Sequence, residues 1–343
     1  MKGLFRRVVL APAVIVFTVL MLTTVPVWLI LAALLSPVVP GRLRPLRLLW
    51  LAMMHLVLES IMLLELFGLW IASGSGYFIR RPWFERVHYD IAQTYLIIFF
   101  REARRVLRLK IVTQGPTPDA FPGEPLLVVC RHAGPGDSFT LMYALMHWYG
   151  REPRVVLRDT LAWDPAVDVI LNRVPSRFIS PDPKAGTDLE TQVGELARNL
   201  DGNDAFVIFP EGGNFSPERR QRAIDKLRRL GLETMARRAE NMENVLAPRP
   251  GGFLAALDAA PDADIVLVAH TGLDHMLTLA DVWRELPMDK QIIMRWWRVP
   301  RDEIPDGRDE RIDWLFSRWE EIDRWIAEHR PVDLEPRRAH ARR

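Results

Sequence analysis

The residues best equipped for chemistry in this chain fall in two short stretches, Arg131-His132-Ala133-Gly134-Pro135-Gly136-Asp137 and Phe209-Pro210-Glu211-Gly212-Gly213. Each follows an apolar run, Pro125-Leu126-Leu127-Val128-Val129-Cys130 before the first and Ala205-Phe206-Val207-Ile208 before the second. A base and its carboxylates then sit on turns at the ends of buried strands, the edge at which open α/β sheets hold their ligands. An imidazole titrates near neutrality, so His132 suits removal of a hydroxyl proton, a step that contributes roughly 10²–10⁴-fold. Asp137 can hold the correct tautomer of that imidazole and stabilise the imidazolium. Four residues separate the pair, so they meet only if the chain turns tightly. Gly134, Pro135 and Gly136 permit such a turn, with Asp137 or Ser138 starting a helix after it. A hydroxyl attacking an acyl thioester needs a base of this kind, and the pattern points to acyl transfer.

Competing features are weaker. Among 8 histidines and 43 acidic residues, about one histidine with an acid five residues on is expected by chance. His147 and Glu152 are that match: Trp148 and Tyr149 stand where a tight turn wants small residues, and no proline intervenes. Cys130, the single cysteine, lies in an apolar strand and reads as core; it excludes an internal disulfide and fits a reducing compartment. A hydrolase, with His132 activating water or Ser138, is the alternative from another class, but no Gly-x-Ser-x-Gly elbow is present. No His-x-x-x-His or other clustered ligand spacing suggests a metal.

His132 and Asp137, followed some seventy residues later by Phe209-Pro210-Glu211-Gly212, resemble the glycerolipid acyltransferases of the lysophosphatidate acyltransferase type. The resemblance spans roughly residues 120–300. It extends to Pro248-Arg249-Pro250-Gly251-Gly252-Phe253 and to Arg298-Val299-Pro300 with Glu303-Ile304-Pro305, which are similar to elements of one branch of that family. The resemblance implies His132 as base on the acceptor hydroxyl, Asp137 as its orienting partner, and Glu211 as a ligand of the acceptor's glycerol portion. It implies acceptor-binding roles for Gly212, Gly213 and Arg249. Acyl-CoA or acyl-carrier protein is the implied donor, with no metal, no cofactor and no covalent acyl-enzyme. The product would be phosphatidate, an intermediate of phospholipid biosynthesis.

This chain departs from the pattern at three places. Gly213-Asn214 stand where Thr-Arg is usual, Phe178-Ile179-Ser180-Pro181 where Phe-Ile-x-Arg is usual, and Arg131 where Asn usually precedes the histidine. Both absent arginines are linked by the resemblance to the acceptor phosphate, which guanidinium groups grip in bidentate fashion. Arg177, Lys184, Arg219, Arg220, Arg249 and Arg298 are the candidate substitutes. A lysophospholipid or glycolipid without an exposed phosphate monoester is the alternative acceptor.

The elements that must position these residues follow from pattern. Strand-like runs at Leu126–Cys130, Arg154–Leu157, Arg177–Ile179, Ala205–Phe209, Asp264–Ala269 and Gln291–Trp297 alternate with helical patterns at Ser138–Tyr149, Asp188–Leu200, Ser216–Asn241 and Gly252–Ala259. Such alternation predicts an α/β fold, an acyltransferase-like mixed and largely parallel sheet flanked by helices. Arg308–Glu328 predicts a closing helix whose Trp314, Trp319 and Trp325 serve packing.

Ahead of this domain, Val8 to Gly41 carries no charge, which exceeds the ~20 residues needed to cross a bilayer. A second apolar run, Leu48 to Ile71, contains Glu59 and Glu65. A carboxylate at mid-bilayer costs roughly 2.5–3.5 kcal/mol, which favours a shallow hairpin or helices packed with the acids inward. His55 and Glu59 share a helix face and can pair. Ser73-Gly74-Ser75-Gly76 marks the end of this two-helix membrane anchor. The expected division is therefore residues 1–76 as anchor, 77–330 as catalytic domain and 331–343 as basic tail. Tyr89–Lys110 reads as an amphipathic helix, lying at the membrane interface or packed on the core. Lys and Arg number 45 against 43 acids, so the net charge of +2 gives no nucleic-acid signature. Arginines cluster beside the apolar runs instead, which predicts contact with anionic lipid headgroups. The expected location is the cell membrane, with the catalytic domain on its cytoplasmic face.

Overall fold

In the computed structural model, residues 2–39, 41–115, 123–134, 136–179, 188–274, 283 and 289–330 are described. Pro135, Ser180, Pro181, Lys184 and the tail 331–343 lie outside the described residues. The helices in chain order are α1 (Lys2–Phe5), α2 (Ala11–Thr23), α3 (Val25–Leu35), α4 (Arg44–Ala72), α5 (Pro82–Leu107), α6 (Asp137–Tyr143), α7 (Pro165–Leu171), α8 (Leu189–Leu196), α9 (Pro217–Arg229), α10 (Glu233–Asn241), α11 (Pro250–Ala259) and α12 (Arg308–His329). The strands are β1 (Lys110–Gln114), β2 (Leu126–Cys130), β3 (Glu152–Arg158), β4 (Ser176–Ile179), β5 (Asp204–Ile208), β6 (Asp264–Thr271) and β7 (Gln291–Val299). They fall into two compact units, one formed by residues 1–109, 142–189 and 286–289, the other by 110–141, 190–285 and 290–343.

The first unit is mostly helical. Gly3–Thr23 and Arg44–Ala72 are each long and apolar enough to cross a membrane. Packing gives α4 two different faces. Met62, Leu63 and Leu66 are buried against Ala11, Ala166, Val169 and Ile170, while Ile61, Leu64, Phe67 and Ile71 are exposed. The acids of α4 part ways for the same reason: Glu59 turns inward and is buried, and Glu65 is exposed. His55 and Glu59 pair as their spacing predicts, Nε2 to Oε2 at 3.6 Å, and Tyr95 of α5 lies 2.8 Å from the other ring nitrogen. Arg6 and Arg7 both reach the fully buried Asp168 of α7, at 2.6 and 2.9 Å. After α4 the chain turns through Ser73–Gly76, with Gly74 and Gly76 at φ +68° and +91°, as the glycines there require. Strands β3 and β4 of this unit pair in parallel.

Among the described residues, the second unit holds five strands in the order β1-β7-β6-β2-β5. All pairings are parallel except β6 with β7. The mixed, largely parallel α/β sheet flanked by helices is thus present. Strands β2, β5 and β6 are almost wholly buried, the burial expected of central parallel strands whose sequences are continuous apolar runs. Helix α12 closes the core with Trp319 and Trp325 buried, and Trp314 stacks on Phe253 of α11 at 5.9 Å.

Several elements differ from the sequence reading: the first apolar run is broken at Thr24 into α2 and α3, and α7 was not expected. The amphipathic helix ends at Leu107, where Arg108 turns left-handed at φ +56°, and Lys110–Gln114 form the edge strand β1 instead. Its residues are mostly exposed, and Ile111 and Val112 alone gave no strand pattern. The helix expected over Ser216–Asn241 is two helices, because Gly231 at φ +73° ends the first and the chain restarts at Glu233.

Candidate active site

Strand register brings the chemistry together. In the parallel pairs, Val129 lies beside Ile208, and Cys130 beside Val268. Counting three residues on from the first pair and two from the second puts His132, Glu211 and His270 at the same level on three neighbouring chain segments. They stand at the C-terminal edge of the sheet, where helix-flanked parallel strands present their ligands.

His132 follows β2 directly, and its chain then doubles back. Asp137 donates its backbone N–H to the Gly134 carbonyl at 3.3 Å, and its Oδ2 accepts the N–H of Ala133 at 2.6 Å and that of Gly134. The carboxylate therefore ties the turn shut and faces the imidazole, with His132 Nδ1 3.6 Å from Oδ2. Burial opposes the charge on Asp137, but His270, the His132 imidazole and the Gly134 N–H outweigh it and hold the carboxyl below its usual range. With Nδ1 toward Asp137, the imidazole's Nε2 is the atom left for a substrate. Phe209 supports the ring, the centroids lying 4.8 Å apart.

Glu211 ties three segments into one block. Its Oε1 accepts the His132 backbone N–H and its Oε2 the Leu246 N–H, both at 3.1 Å, and the residue is 1% exposed. Burial pushes this carboxyl up to about 7, against the pull of Arg131 and the two backbone N–H groups. Further backbone bonds lock the same block: Phe215 N–H to the His132 carbonyl at 2.7 Å, and Arg249 N–H to the Pro210 carbonyl at 2.8 Å. Glu211 is thus fastened beneath the base, with both oxygens engaged by the backbone.

The neighbouring glycines divide. Gly212 has φ +68° and is exposed, and a Cβ there would come 2.9 Å from Nη1 of Arg249; Gly213 is buried. The exposed Arg249 guanidinium accordingly lies over the Gly212 backbone, beside the His132 block. Among the described residues it has no acidic partner.

The other arginines are placed differently. Arg219 donates from Nη1 to the Asn214 carbonyl at 3.0 Å and so props the second stretch. Arg220 binds the carbonyls of Met242 and Glu240 and holds α9 to the end of α10. Arg298, expected at the substrate, bonds Asp264 at 2.7 Å and also reaches Glu124. Asp264 begins β6, six residues before His270, so Arg298 stands about 20 Å away at the opposite edge of the sheet. That corrects its assignment to the acceptor: the Arg298-Val299-Pro300 segment ends an antiparallel strand, which reverses its direction relative to β2 and β5. Arg177 is half-buried on β4 in the first unit. His147 stacks near Tyr143 and Glu152 pairs with Arg86, so the decoy pair does not form. Cys130 is fully buried, and burial raises its thiol far above its ordinary range, in keeping with a core residue.

Two participants escaped sequence reading, His270 and Asp274, and a third, Arg131, was noted there only as a departure from the motif. His270 Nε2 lies 3.5 Å from Asp137 Oδ2. Arg131, 1% exposed, donates to the carbonyls of His270 and Asn244 at 2.6 and 2.9 Å and pairs with Asp274. The signal for His270 was its position, a histidine ending an apolar strand as His132 does. Its partner strand could not be known from the sequence.

The stretch that carries this His–Asp turn and the buried glutamate is an acyltransferase domain, similar to those of glycerolipid acyltransferases. The family model described as Acyltransferase matches residues 108–271, the stretch that holds His132, Asp137, Glu211 and His270. Lysocardiolipin acyltransferase 1 of Mus musculus is 23% identical over 256 residues, 71% of this chain and 64% of the mouse protein. An uncharacterized acyltransferase of Schizosaccharomyces pombe is 24% identical over 184 residues, half of each chain. This chain therefore spans between half and two thirds of the length of these relatives. Among solved structures, the 1-acyl-sn-glycerophosphate (LPA) acyltransferase PlsC of Thermotoga maritima aligns over 80% of this chain and 97% of its own, at 14% identity and a TM-score of 0.44.

Proposed function

We propose that this chain is a 1-acyl-sn-glycerol-3-phosphate O-acyltransferase, moving a fatty acyl group from an acyl thioester to the free hydroxyl of a lysophospholipid. The observation that carries the reading is the His132–Asp137 pair held by Glu211 at the C-terminal edge of adjoining strands. His132 Nε2 takes the hydroxyl proton as the acceptor oxygen attacks the thioester carbonyl. The new C–O bond forms, the C–S bond breaks, and the proton passes from His132 to the departing thiolate. Asp137 keeps Nδ1–H directed inward and balances the transient imidazolium. Arg249, exposed over Gly212, is the cation best placed for the acceptor phosphate. The donor is acyl-CoA or acyl-carrier protein, and neither a metal nor a cofactor enters the reaction.

Membrane lipid surrounds the substrate, and the first unit supplies the surface for it. Phe17, Leu20, Trp28, Ile30 and Leu34 of α2 and α3 are exposed apolar side chains, and α4 adds Leu64 and Phe67. The opposite face of α4 packs on α5 and α7, whose charged groups could not follow it through a bilayer. These features support insertion of the first unit from one side, and we assign that side to the cytoplasmic face of the cell membrane.

A second reading keeps the chemistry and changes the acceptor to another lysophospholipid. Asn214 stands where an arginine is usual, Arg219 is turned to the Asn214 carbonyl, and Arg298 is remote. Acyl incorporation into lysophosphatidate and a panel of other lysolipids, with both thioester donors, separates the readings. Turnover of lysophosphatidate supports the first and turnover confined to other acceptors the second. Free fatty acid released without any acylated product would overturn both in favour of a hydrolase.

A further inference from the structure

We propose that His270 is a positioning residue for the base, a second imidazole that grips Asp137 from the side opposite His132. The inference rests on the acyl-transfer reading of the His132 site and extends it to residues the motif does not contain.

Two imidazoles converge on one oxygen. Asp137 Oδ2 lies 3.6 Å from His132 Nδ1 and 3.5 Å from His270 Nε2. The same His270 nitrogen is 3.3 Å from the Arg131 carbonyl. A carboxylate and a carbonyl both accept hydrogen bonds, so the nitrogen between them carries the proton and His270 is the Nε2–H tautomer. His270 is buried, and burial lowers its tendency to take a second proton despite the pull of Asp137 and Asp274. Its N–H, shared between the Arg131 carbonyl and Asp137 Oδ2, makes it a neutral donor and not a second base.

Its own position is fixed from behind. Arg131 donates to the His270 carbonyl at 2.6 Å and pairs with Asp274, whose other oxygen accepts the hydroxyl of Thr271 at 2.7 Å and the N–H of Gly272 at 2.9 Å. Arg131 is the residue that replaces the asparagine usual before the base. Its buried charge belongs to a pair that ends β6 where His270 needs to be. The groups facing His270 are then Asp137 on the α6 turn, Arg131 and His132 after β2, and Asp274 after β6; Glu211 and Cys130 lie behind Arg131 and Asp137.

Two consequences follow for His132. The His270 N–H and the N–H groups of Ala133 and Gly134 fix Oδ2, which sets the imidazole direction. They also draw charge from the oxygen, so Asp137 stabilises the His132 imidazolium less than a free carboxylate would. Removing the His270 donor makes Asp137 the stronger acceptor and favours protonated His132.

The test compares His270→Leu and His270→Gln in the full chain, reconstituted in detergent or vesicles. H270L should lower kcat fivefold or more with KM for the lysolipid within threefold, and move the acid limb of the kcat/KM profile up by half a pH unit or more. H270Q, whose side-chain amide can place an N–H near the Nε2 position, should recover at least half of the logarithmic loss. A smaller fall, an unmoved acid limb, or H270Q no better than H270L each overturns the proposal. If H270L does not fold, H270Q must exceed the shorter His270→Asn by fivefold or more, and equal activities overturn it. Wild type that acylates no lysolipid defeats the acyl-transfer reading instead. The His270–Asp137 interaction is then read by imidazole nitrogen NMR: a His132 titration midpoint that rises in H270L supports it, and an unchanged midpoint defeats it.

Discussion

Glu211 and His132 meet through the backbone: the Glu211 Oε1 accepts the His132 N–H at 3.1 Å, and no side-chain atom of His132 is involved. The glutamate therefore sets where the base's main chain lies and leaves its ring free to work. Its other oxygen does the same for Leu246. One carboxylate so fixes the relative positions of β2, β5 and the segment that carries Arg249, and any acceptor role comes through that placement.

This placement has a pH signature. Burial raises the Glu211 carboxyl from 4.5 in the free side chain to about 7. Between those values the folded protein holds a proton that the unfolded chain has released. Stability is then fullest below pH ~4.5, declines as the pH rises, and levels off above about 7, a loss on the order of 3 kcal/mol from this group. Glu211→Gln should remove that slope. Melting curves of both proteins from pH 4.5 to 8 measure it, and parallel curves contradict the shift.

Asp137→Asn keeps an oxygen for the Ala133 and Gly134 N–H groups, so the turn should persist. That same oxygen faces His132 Nδ1, so the tautomer is kept, but the neutral amide no longer balances the imidazolium that forms as the proton is taken. Acyl transfer should fall by roughly 10²–10⁴-fold with an unchanged circular dichroism spectrum. Activity within tenfold of wild type would show that Asp137 does not govern the imidazole.

The sequence made some of this legible and hid the rest for physical reasons. His132, Asp137 and Glu211 could be read because a tight turn and a buried strand end restrict which residues fit, and those restrictions are local. All six expected strands are present, and the central β2, β5 and β6 were the plainest to read because buried central strands must be apolar throughout. Strand β1 was hidden, since an edge strand with one-sided contacts needs no apolar pattern. Register was hidden too: nothing in the chain states that β2 lies between β5 and β6, so His270 could not be matched to Asp137. Arg298 misled for the same reason. Its motif resemblance was intact, but the edge of the sheet it occupies depends on the reversed direction of β7.

Arg298 therefore gives a clean negative expectation. Paired with Asp264 and Glu124 at the far edge, it should matter little for chemistry. Arg298→Ala should leave kcat and the lysolipid KM within threefold of wild type. Stability should drop by about 1 kcal/mol or less, as expected for a pair near the surface. A tenfold rise in KM would return Arg298 to the substrate site.

Gly212 and Arg249 form a linked pair. Gly212→Ala places a methyl group in a left-handed backbone, at a cost of roughly 1–2 kcal/mol, and 2.9 Å from the Arg249 guanidinium. The arginine must move. KM for the lysolipid should rise about tenfold in G212A and in Arg249→Ala, since each takes one good charge-assisted hydrogen bond away from the acceptor. The double variant should be no worse than R249A alone, because both changes remove the same interaction. An additive double variant means that Gly212 acts on the acceptor directly.

Asp168 tests how the N-terminal helices are held. Its carboxylate is fully buried on α7 and receives Arg6 at 2.6 Å and Arg7 at 2.9 Å, beside the cluster of Ala11, Leu63 and Leu66. The two arginines differ in exposure, 16% for Arg6 and 46% for Arg7, so solvent screens the second far more. Asp168→Ala leaves Arg6 buried without its partner and should cost about 3–5 kcal/mol. Arg7→Ala removes a half-exposed ion pair and should cost under about 1 kcal/mol. Melting in detergent ranks the two, and limited proteolysis should show residues 2–23 released in D168A and retained in R7A. Equal losses in both variants would mean that the ion pairs do not fasten these helices and that the apolar cluster holds them alone.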